Sequence, residues 1–253
     1  NLSSSKTPQW KTHKPLSSWL KKPLLLIGGW WDPHLKGILD IFEKAKKAGG
    51  NPHLLIGPAT HLQWWEGAQR TQLDFFDSHL KEKNKESHFS QINLWNLTTK
   101  GWELSVQNKT PTWSLRSEGL ASINHLEGCL APNSDLEADS EVNLVHDPWR
   151  PIPSIGGHLS DTAGEANRYQ LDIRPDVAVF TSDPILKDLR LEGIPTLFLE
   201  TNCDRECFDL FVALSIIPKA VENTVTQLST GVLRIANCDK GITSAREIRL
   251  QPI

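Results

Sequence analysis

Two short apolar runs that each end in glycine limit most strongly what this chain can fold into. The first is Leu-Leu-Leu-Ile-Gly-Gly at residues 24–29, and the second is His-Leu-Leu-Ile-Gly at residues 53–57. Runs of this length and composition are typical of strands buried on both faces. Between them, apolar residues recur at helical spacing, and Gly49-Gly50 supplies a helix stop. The segment 24–61 therefore predicts a strand–helix–strand unit with two parallel strands and a right-handed crossover.

A carboxylate and an imidazole follow the two predicted strands at the same spacing. Asp32 lies four residues beyond Gly28, and His61 lies four residues beyond Gly57. Both side chains should leave the sheet at the carboxyl ends of its strands, where open α/β sheets bind ligands. Neighbouring strands lie about 5 Å apart, so the carboxylate can hold one ring nitrogen and leave the other free to move protons. We predict Asp32 and His61 as catalytic residues; the alternative is a helix-capping Asp32 and an ordinary histidine.

Two pentapeptides and several later motifs resemble one family of hydrolases. Gly-Gly-Trp-Trp-Asp at residues 28–32 and Gly-Pro-Ala-Thr-His at residues 57–61 closely resemble the acid and histidine segments of the CocE/NonD hydrolases. This family includes X-Pro dipeptidyl-peptidases, cocaine esterase, α-amino-acid ester hydrolases and glutaryl acylases. Further similarity at residues 146–157 and 174–184 extends the resemblance over nearly the whole chain. Trp31 and Ala59 stand where the family usually has Tyr and Trp, which leaves the catalytic groups unchanged.

The resemblance implies a serine hydrolase that cleaves acyl ester or amide bonds, X-Pro dipeptidyl bonds among them, through an acyl-serine. Asp32 would orient His61, which would take the serine proton and return it to the leaving group. The Gly-x-Ser-x-Gly elbow that carries the nucleophile of α/β-hydrolases does not occur in the sequence. In the family this serine precedes the first strand seen here. We therefore expect the N-terminal half of the same protein to supply it, the isolated chain to be inactive, and no cofactor to be needed.

The patterning of the chain changes near residue 87. Helical periodicity disappears there, and short alternating runs follow between Gly, Pro, Asn and Asp. An α/β plus all-β fold is predicted. Residues 1–85 would be the C-terminal segment of an α/β-hydrolase domain, with the end of a cap linker and the last two strands. Residues 86–253 would be a jelly-roll β-sandwich of the X-Pro dipeptidyl-peptidase C-terminal type, with a surface loop at 119–140. Its predicted strands are residues 91–97, 113–115, 142–146, 176–181, 187–191, 195–199, 209–217, 231–235 and 247–250.

Four tryptophans flank the predicted catalytic pair. Trp30 and Trp31 precede Asp32, and Trp64 and Trp65 follow His61. Small-molecule sites are mostly apolar and aromatic, so these indole rings are candidates for the walls of a substrate pocket. The alternative is that they pack in the core or at an interface, as large aromatic side chains usually do.

Charge and composition argue against several classes of partner. The net charge is −3, and charged residues of both signs are scattered along the chain, which argues against nucleic acid as the main partner. No apolar run is long enough for a membrane helix, and no signal peptide is visible. The chain begins at Asn1 and contains no methionine, so we expect a fragment or a processed piece. The location stays open, with the cytoplasm favoured. The expected partners are an ester or peptide substrate and the N-terminal half, and a homo-oligomer is left open.

Two functions of other classes stay open. Asp32, His34 and His61 offer a carboxylate and two imidazoles, which suit zinc or iron in a metal-dependent hydrolase; the favoured interpretation has no metal. Alternatively, the jelly roll is a non-catalytic module that recognises a partner or a glycan, with the α/β part as its support. The four cysteines are too few for a disulfide framework in a chain of this length and are expected to be free thiols.

Overall fold

The computed structural model describes residues 14–81, 90–105, 110–124, 126–132, 141–219 and 221–253. Its first sheet has four strands in the order β1-β2-β3-β4, of which the first three are parallel and the last is antiparallel. A 3₁₀ turn precedes the sheet, and a helix follows each of its first two strands. In chain order these elements are the turn Trp19–Lys21, β1 (Leu25–Trp31), α1 (Leu35–Lys47), β2 (His53–Thr60), α2 (Ala68–Leu80), β3 (Ile92–Asn96) and β4 (Gly101–Leu104).

The predicted strand–helix–strand unit is confirmed. β1 and β2 are parallel neighbours, with Leu25 opposite His53 and Gly29 opposite Gly57. α1 joins them and packs its apolar stripe against β1, as the helical spacing of its apolar residues requires. β2 lies inside the sheet and is the more deeply buried of the two strands, whereas β1 lies at the edge. The core at this place is formed by Trp30, Leu35, Phe42, Leu54, Ile56 and Leu94.

The strand predicted at residues 91–97 is present as β3, but it belongs to a different sheet than expected. It pairs in parallel with β2, with Leu54 opposite Ile92 and Ile56 opposite Leu94. β4, which the sequence did not predict, returns antiparallel beside it. The first sheet therefore has four strands rather than two, and it continues beyond the expected division at residue 85. A short apolar run looks the same in a sandwich and at the side of a parallel sheet, so its pattern cannot identify its partner.

In the rest of the described chain the regular secondary structure is strand, apart from one short helix, Tyr169–Asp172, which agrees with the predicted all-β part. Its strands form three antiparallel pairs, β5 with β6, β7 with β10, and β8 with β9. Five predicted strands coincide with β5, β7, β8, β9 and β10, while the jelly-roll arrangement itself stays a prediction. The bounds are β5 (Trp113–Ser117), β6 (Gly128–Pro132), β7 (Thr196–Thr201), β8 (Phe208–Ile216), β9 (Thr226–Ile235) and β10 (Ser244–Arg249).

Four expectations about the second part are wrong. Residues 142–146, 176–181 and 187–191 form no strand, although Thr181 makes an isolated bridge to Cys129. Residues 142–146 form an irregular, mostly exposed segment. Their alternating side chains pack against no sheet, so the alternation does not lead to a strand. The predicted loop 119–140 contains β6, which pairs antiparallel with β5, with Ser117 opposite Gly128. Gly128 packs so closely that a β-carbon there would lie 2.0 Å from the carbonyl oxygen of Val179. Residues 125 and 133–140 of that loop lie outside the described part.

A buried polar network ties together segments of the second part. The guanidinium of Arg168 is paired with Asp172 at 3.2 Å and donates to Gln227 Oε1 at 2.9 Å. Gln227 in turn donates to the carbonyl of Ile155 at 3.0 Å. Burial raises the pKa of Asp172 above that of an ordinary carboxyl, although the charge of Arg168 acts in the opposite direction. Ile155, in the motif at residues 146–157, is thus tied to the helix Tyr169–Asp172 and to β9 by this network.

None of the helices in the described ranges combines the length and the apolar composition that crossing a bilayer requires.

Candidate active site

Asp32 and His61 meet where β1 and β2 end. Because the strands are parallel neighbours, with Trp31 opposite Thr60, the residue after each strand emerges at the same edge of the sheet. The distance from Asp32 Oδ2 to His61 Nδ1 is 3.4 Å. A register irregularity between Gly29 and Trp31 bends β1 just before Asp32. The structure thus brings together the two residues that the sequence predicted as a pair, and their catalytic role stays a prediction.

The carboxylate of Asp32 is held by its own loop. Its Oδ1 accepts the backbone N–H of His34 at 2.7 Å, which is an Asx turn at the start of α1. Its backbone N–H donates to the carbonyl of Gly29 at 3.1 Å. The side chain is only 14% exposed. The helix-start and the catalytic interpretations of Asp32 are therefore compatible, because one oxygen serves the turn and the other faces His61.

His61 stands outside the sheet on a short turn. Thr60 shapes this turn, because its Oγ1 accepts the backbone N–H of Gln63 at 3.1 Å. The imidazole of His61 is 57% exposed, and no serine hydroxyl in the described part of the chain is hydrogen-bonded to it. The 3.4 Å contact with Asp32 is longer than a charge-assisted hydrogen bond of about 2.7–2.9 Å. Catalytic hydrogen bonds are often this long without substrate and shorten when the complex forms.

Gln251, near the C-terminal end of the chain, also contacts the acid loop. Its Nε2 donates to the backbone carbonyl of Asp32 at 3.0 Å, across 219 positions of sequence. Two hydrogen bonds fix the backbone of Gln251. The N–H of Gln251 donates to the carbonyl of Thr230 at 2.9 Å, and the carbonyl of Gln251 accepts the hydroxyl of Ser229 at 2.6 Å. Sequence analysis missed this residue, and a single amide after β10 carries no signal that could have identified it.

We predict that, if Asp32 and His61 act as the predicted catalytic pair, Gln251→Ala lowers kcat of the complete protein about fivefold and leaves KM unchanged. The variant removes one neutral hydrogen bond from the acid loop, and about 1 kcal/mol of lost positioning corresponds to a factor of roughly five in rate. Steady-state kinetics and the thermal midpoint should be measured together, with Arg249→Ala, an exposed neighbour, as the control. An unchanged kcat in a folded Gln251→Ala protein would show that the contact does not position Asp32.

The four tryptophans have different environments. Trp30 is 6% exposed and donates from Nε1 to the carbonyl of Trp95 at 2.7 Å. Trp31 is partly buried and packs against the same core cluster. Trp65 packs against β2 at Gly57, so closely that a β-carbon at Gly57 would lie 2.3 Å from the indole ring. Trp64 stacks on Trp65 with ring centroids 5.8 Å apart and is 48% exposed, which makes it the most accessible of the four.

A shallow pocket of about 360 Å³ lies on this aromatic side of the sheet rather than at the Asp32–His61 pair. Trp102 lies edge-on to Trp65 there, with ring centroids 5.3 Å apart. The substrate-pocket role of the tryptophans stays a prediction. The lining residues are Leu55, Trp65, Glu66, Gly67, Thr71, Asn93 and Trp102.

A third polar side chain joins the pair. One ligand atom from each of Asp32, His34 and His61 lies within 4.8 Å of the other two. The two imidazole rings are edge-on, with centroids 4.8 Å apart and an interplanar angle of 66°. Among the described residues, this is the one group of three or more histidine, cysteine or acidic side chains that lie close enough together to share a metal ion. Its donors, one carboxylate and two imidazoles, are those that zinc prefers.

Comparisons with known proteins agree on both parts of the chain. Residues 66–253 match the family model of the X-Pro dipeptidyl-peptidase C-terminal non-catalytic domain. Residues 2–63 match the family model of the X-Pro dipeptidyl-peptidase (S15 family), so His61 lies at the end of this match. No curated protein matches the chain.

Two solved structures share the fold. An aminopeptidase from a marine sediment archaeon, Thaumarchaeota archaeon, superposes with a TM-score of 0.70 at 15% identity, over 91% of this chain and 44% of its own. An α-amino acid ester hydrolase superposes with a TM-score of 0.68 at 18% identity, over 92% of this chain and 45% of its own. The chain therefore spans less than half the length of either structure.

Proposed function

This chain belongs to the X-Pro dipeptidyl-peptidase family of the CocE/NonD hydrolases, and we propose that it is the C-terminal half of a serine hydrolase. The bond cleaved is an acyl ester or an amide, the X-Pro dipeptidyl bond included. The observation that carries the proposal is the 3.4 Å contact between Asp32 and His61 at the ends of two adjacent parallel strands. The two structural relatives, an aminopeptidase and an ester hydrolase, support the choice of amide and ester bonds.

In the proposed mechanism Asp32 orients His61 and His61 moves the proton. Nδ1–H of His61 donates to Asp32 Oδ2, which leaves a lone pair on Nε2. Nε2 takes the proton of the serine as the hydroxyl attacks the carbonyl carbon, and gives it to the leaving alcohol or amine. The acyl-serine is then hydrolysed by water that His61 activates in the same way. The charge of Asp32 stabilises the imidazolium formed in each step.

The nucleophile is assigned to the N-terminal half of the same protein. The sequence has no Gly-x-Ser-x-Gly elbow, and His61 has no serine partner within the ranges that the structure describes. The imidazole is more than half exposed while the carboxylate beside it is largely covered, so the open side of the pair is the side of the histidine. This asymmetry suits a base that receives its serine from another part of the fold.

The second part of the chain is proposed as a jelly roll that supports the catalytic edge without contributing a reacting group. The family model it matches is described as non-catalytic. The contact from Gln251 to the carbonyl of Asp32 gives this part a physical connection to the acid loop. The division between the two units is proposed near residue 85, and β3 and β4, the first strands of the second unit, pair onto the α/β sheet of the first.

A fluorophosphonate probe, which reacts with activated serines, tests the assignment of the nucleophile. We predict that the isolated 253-residue chain is not labelled and that the complete protein is labelled at one serine. Heat-denatured complete protein serves as the control for unspecific reaction. The measurement is gel fluorescence followed by identification of the labelled peptide. Specific labelling of the isolated chain would mean that one of its own serines is the nucleophile and would overturn the assignment.

A further inference from the structure

One imidazole at the catalytic edge has no part in the proposed proton transfer. The backbone N–H of His34 serves the turn around Asp32, but its ring is free of that turn and lies edge-on to the ring of His61. Asp32, His34 and His61 thus form a cluster of three ligand atoms within 4.8 Å. Both histidines are exposed, so an ion from solution can reach the cluster. The proposed hydrolase uses the side chains of Asp32 and His61 but has no role for the imidazole of His34.

The spacing of the cluster fits a tetrahedral metal ion. Zinc bonds of about 2.0–2.1 Å in tetrahedral geometry place ligand atoms roughly 3.4 Å apart. The distance from Asp32 Oδ2 to His61 Nδ1 is 3.4 Å. The third ligand atom lies farther away, but the imidazole of His34 is on the surface and can approach by rotating about its side-chain bonds without disturbing the core. The backbone of His34 needs no movement, because Asp32 Oδ1 already holds it at 2.7 Å.

We propose that Asp32, His34 and His61 bind one zinc ion, with water as the fourth ligand, and that bound zinc switches the hydrolase off. Two imidazoles and one carboxylate favour zinc over magnesium or calcium, which prefer oxygen ligands. When Nδ1 of His61 coordinates the metal, the ring proton lies on Nε2. Nε2 then cannot accept the proton of a serine, and Asp32 is occupied as well. The inhibition rests on the proposed function, whereas the binding of zinc does not.

Calorimetric titration of zinc chloride into the chain and into the complete protein tests the site directly. We expect one zinc ion per chain, and an affinity at least tenfold weaker in His34→Gln. His146→Gln is the matched control, because His146 is an exposed histidine outside the cluster, and its affinity should equal that of the unchanged protein. Magnesium chloride should give no binding heat. Absence of zinc binding, or binding that His34→Gln leaves unchanged, would overturn the proposal.

Zinc inhibition of ester turnover by the complete protein gives the second readout. Each variant is compared with its own rate in zinc-free buffer, and EDTA should restore the rate of the unchanged protein. The zinc concentration for half inhibition should rise at least tenfold in His34→Gln and stay unchanged in His146→Gln. If zinc binds through His34 but turnover survives His61→Ala, the catalytic proposal fails and the metal site stands. If His61 is essential but zinc does not bind, the metal site alone fails.

Discussion

His61→Ala is expected to abolish turnover by the complete hydrolase. The loss in kcat should be roughly 10⁴- to 10⁶-fold, as for removal of the histidine from other catalytic triads. The physical reason is that the proposed mechanism gives the serine proton to His61, the imidazole whose Nδ1 lies 3.4 Å from Asp32 Oδ2. The side chain is 57% exposed, so its removal should leave the fold intact.

The measurement is the initial rate on an activated ester, with the thermal midpoint recorded on the same preparation. His146→Gln controls for the loss of an exposed histidine as such and should keep the rate of the unchanged protein. A folded His61→Ala protein that retains near-normal kcat would remove His61 from the mechanism, and the proposed function with it.

Asp32→Asn should lower kcat by roughly 10⁴-fold without unfolding the protein. Asparagine has the shape of aspartate, so its Oδ1 can still accept the N–H of His34 that closes the turn at 2.7 Å. Its amide nitrogen would then face Nδ1 of His61 and donate to it. This favours the tautomer with the proton on Nε2, the nitrogen that must accept the proton of the serine. The variant therefore changes the tautomer and the charge while it preserves the loop.

Steady-state kinetics and the rate of fluorophosphonate labelling should fall together in Asp32→Asn, because both depend on activation of the serine. Asp40→Asn is the matched control, since Asp40 is an exposed carboxylate on α1 away from the pair. A decrease of less than tenfold in a folded Asp32→Asn protein would limit Asp32 to its role in the turn at the start of α1.

In the proposed hydrolase, the contact between Gln251 and Asp32 gives the second part of the chain a role in positioning the acid loop. The carbonyl of Asp32 accepts two hydrogen bonds, one from the backbone of Leu35 at 3.1 Å and one from Gln251 at 3.0 Å. The first comes from the helix that follows the loop, and the second comes from the far end of the chain. Held from both sides, the loop keeps Asp32 Oδ2 facing His61. Catalysis depends on such positioning, because small displacements of a catalytic group cost large factors in rate.

Local sequence patterns were sufficient to predict that Asp32 and His61 meet at one edge of the sheet. Two apolar runs closed by glycine, with one amphipathic helix between them, predict parallel neighbouring strands, and parallel neighbours bring the residues after them to one edge. The pairing of Asp32 with His61 follows from this geometry, and the contact is present in the structure. Five strands of the second part were also predicted, because each is a short alternating run between turn residues.

Contacts distant in sequence needed the tertiary structure. Three features depend on which segments meet in the folded chain: the pairing of β3 with β2, the strand β6, and the contact from Gln251 to Asp32. A single apolar run or a single amide does not identify its partner in the sequence. The same holds for Trp30, which lies two residues before Asp32 in sequence but is buried in the core. The amino-acid sequence by itself thus determined the strand–helix–strand unit and its acid–histidine edge, because these follow from periodicity over a few residues. Only the packing of the folded chain decided how the sheet is extended and what supports the acid loop.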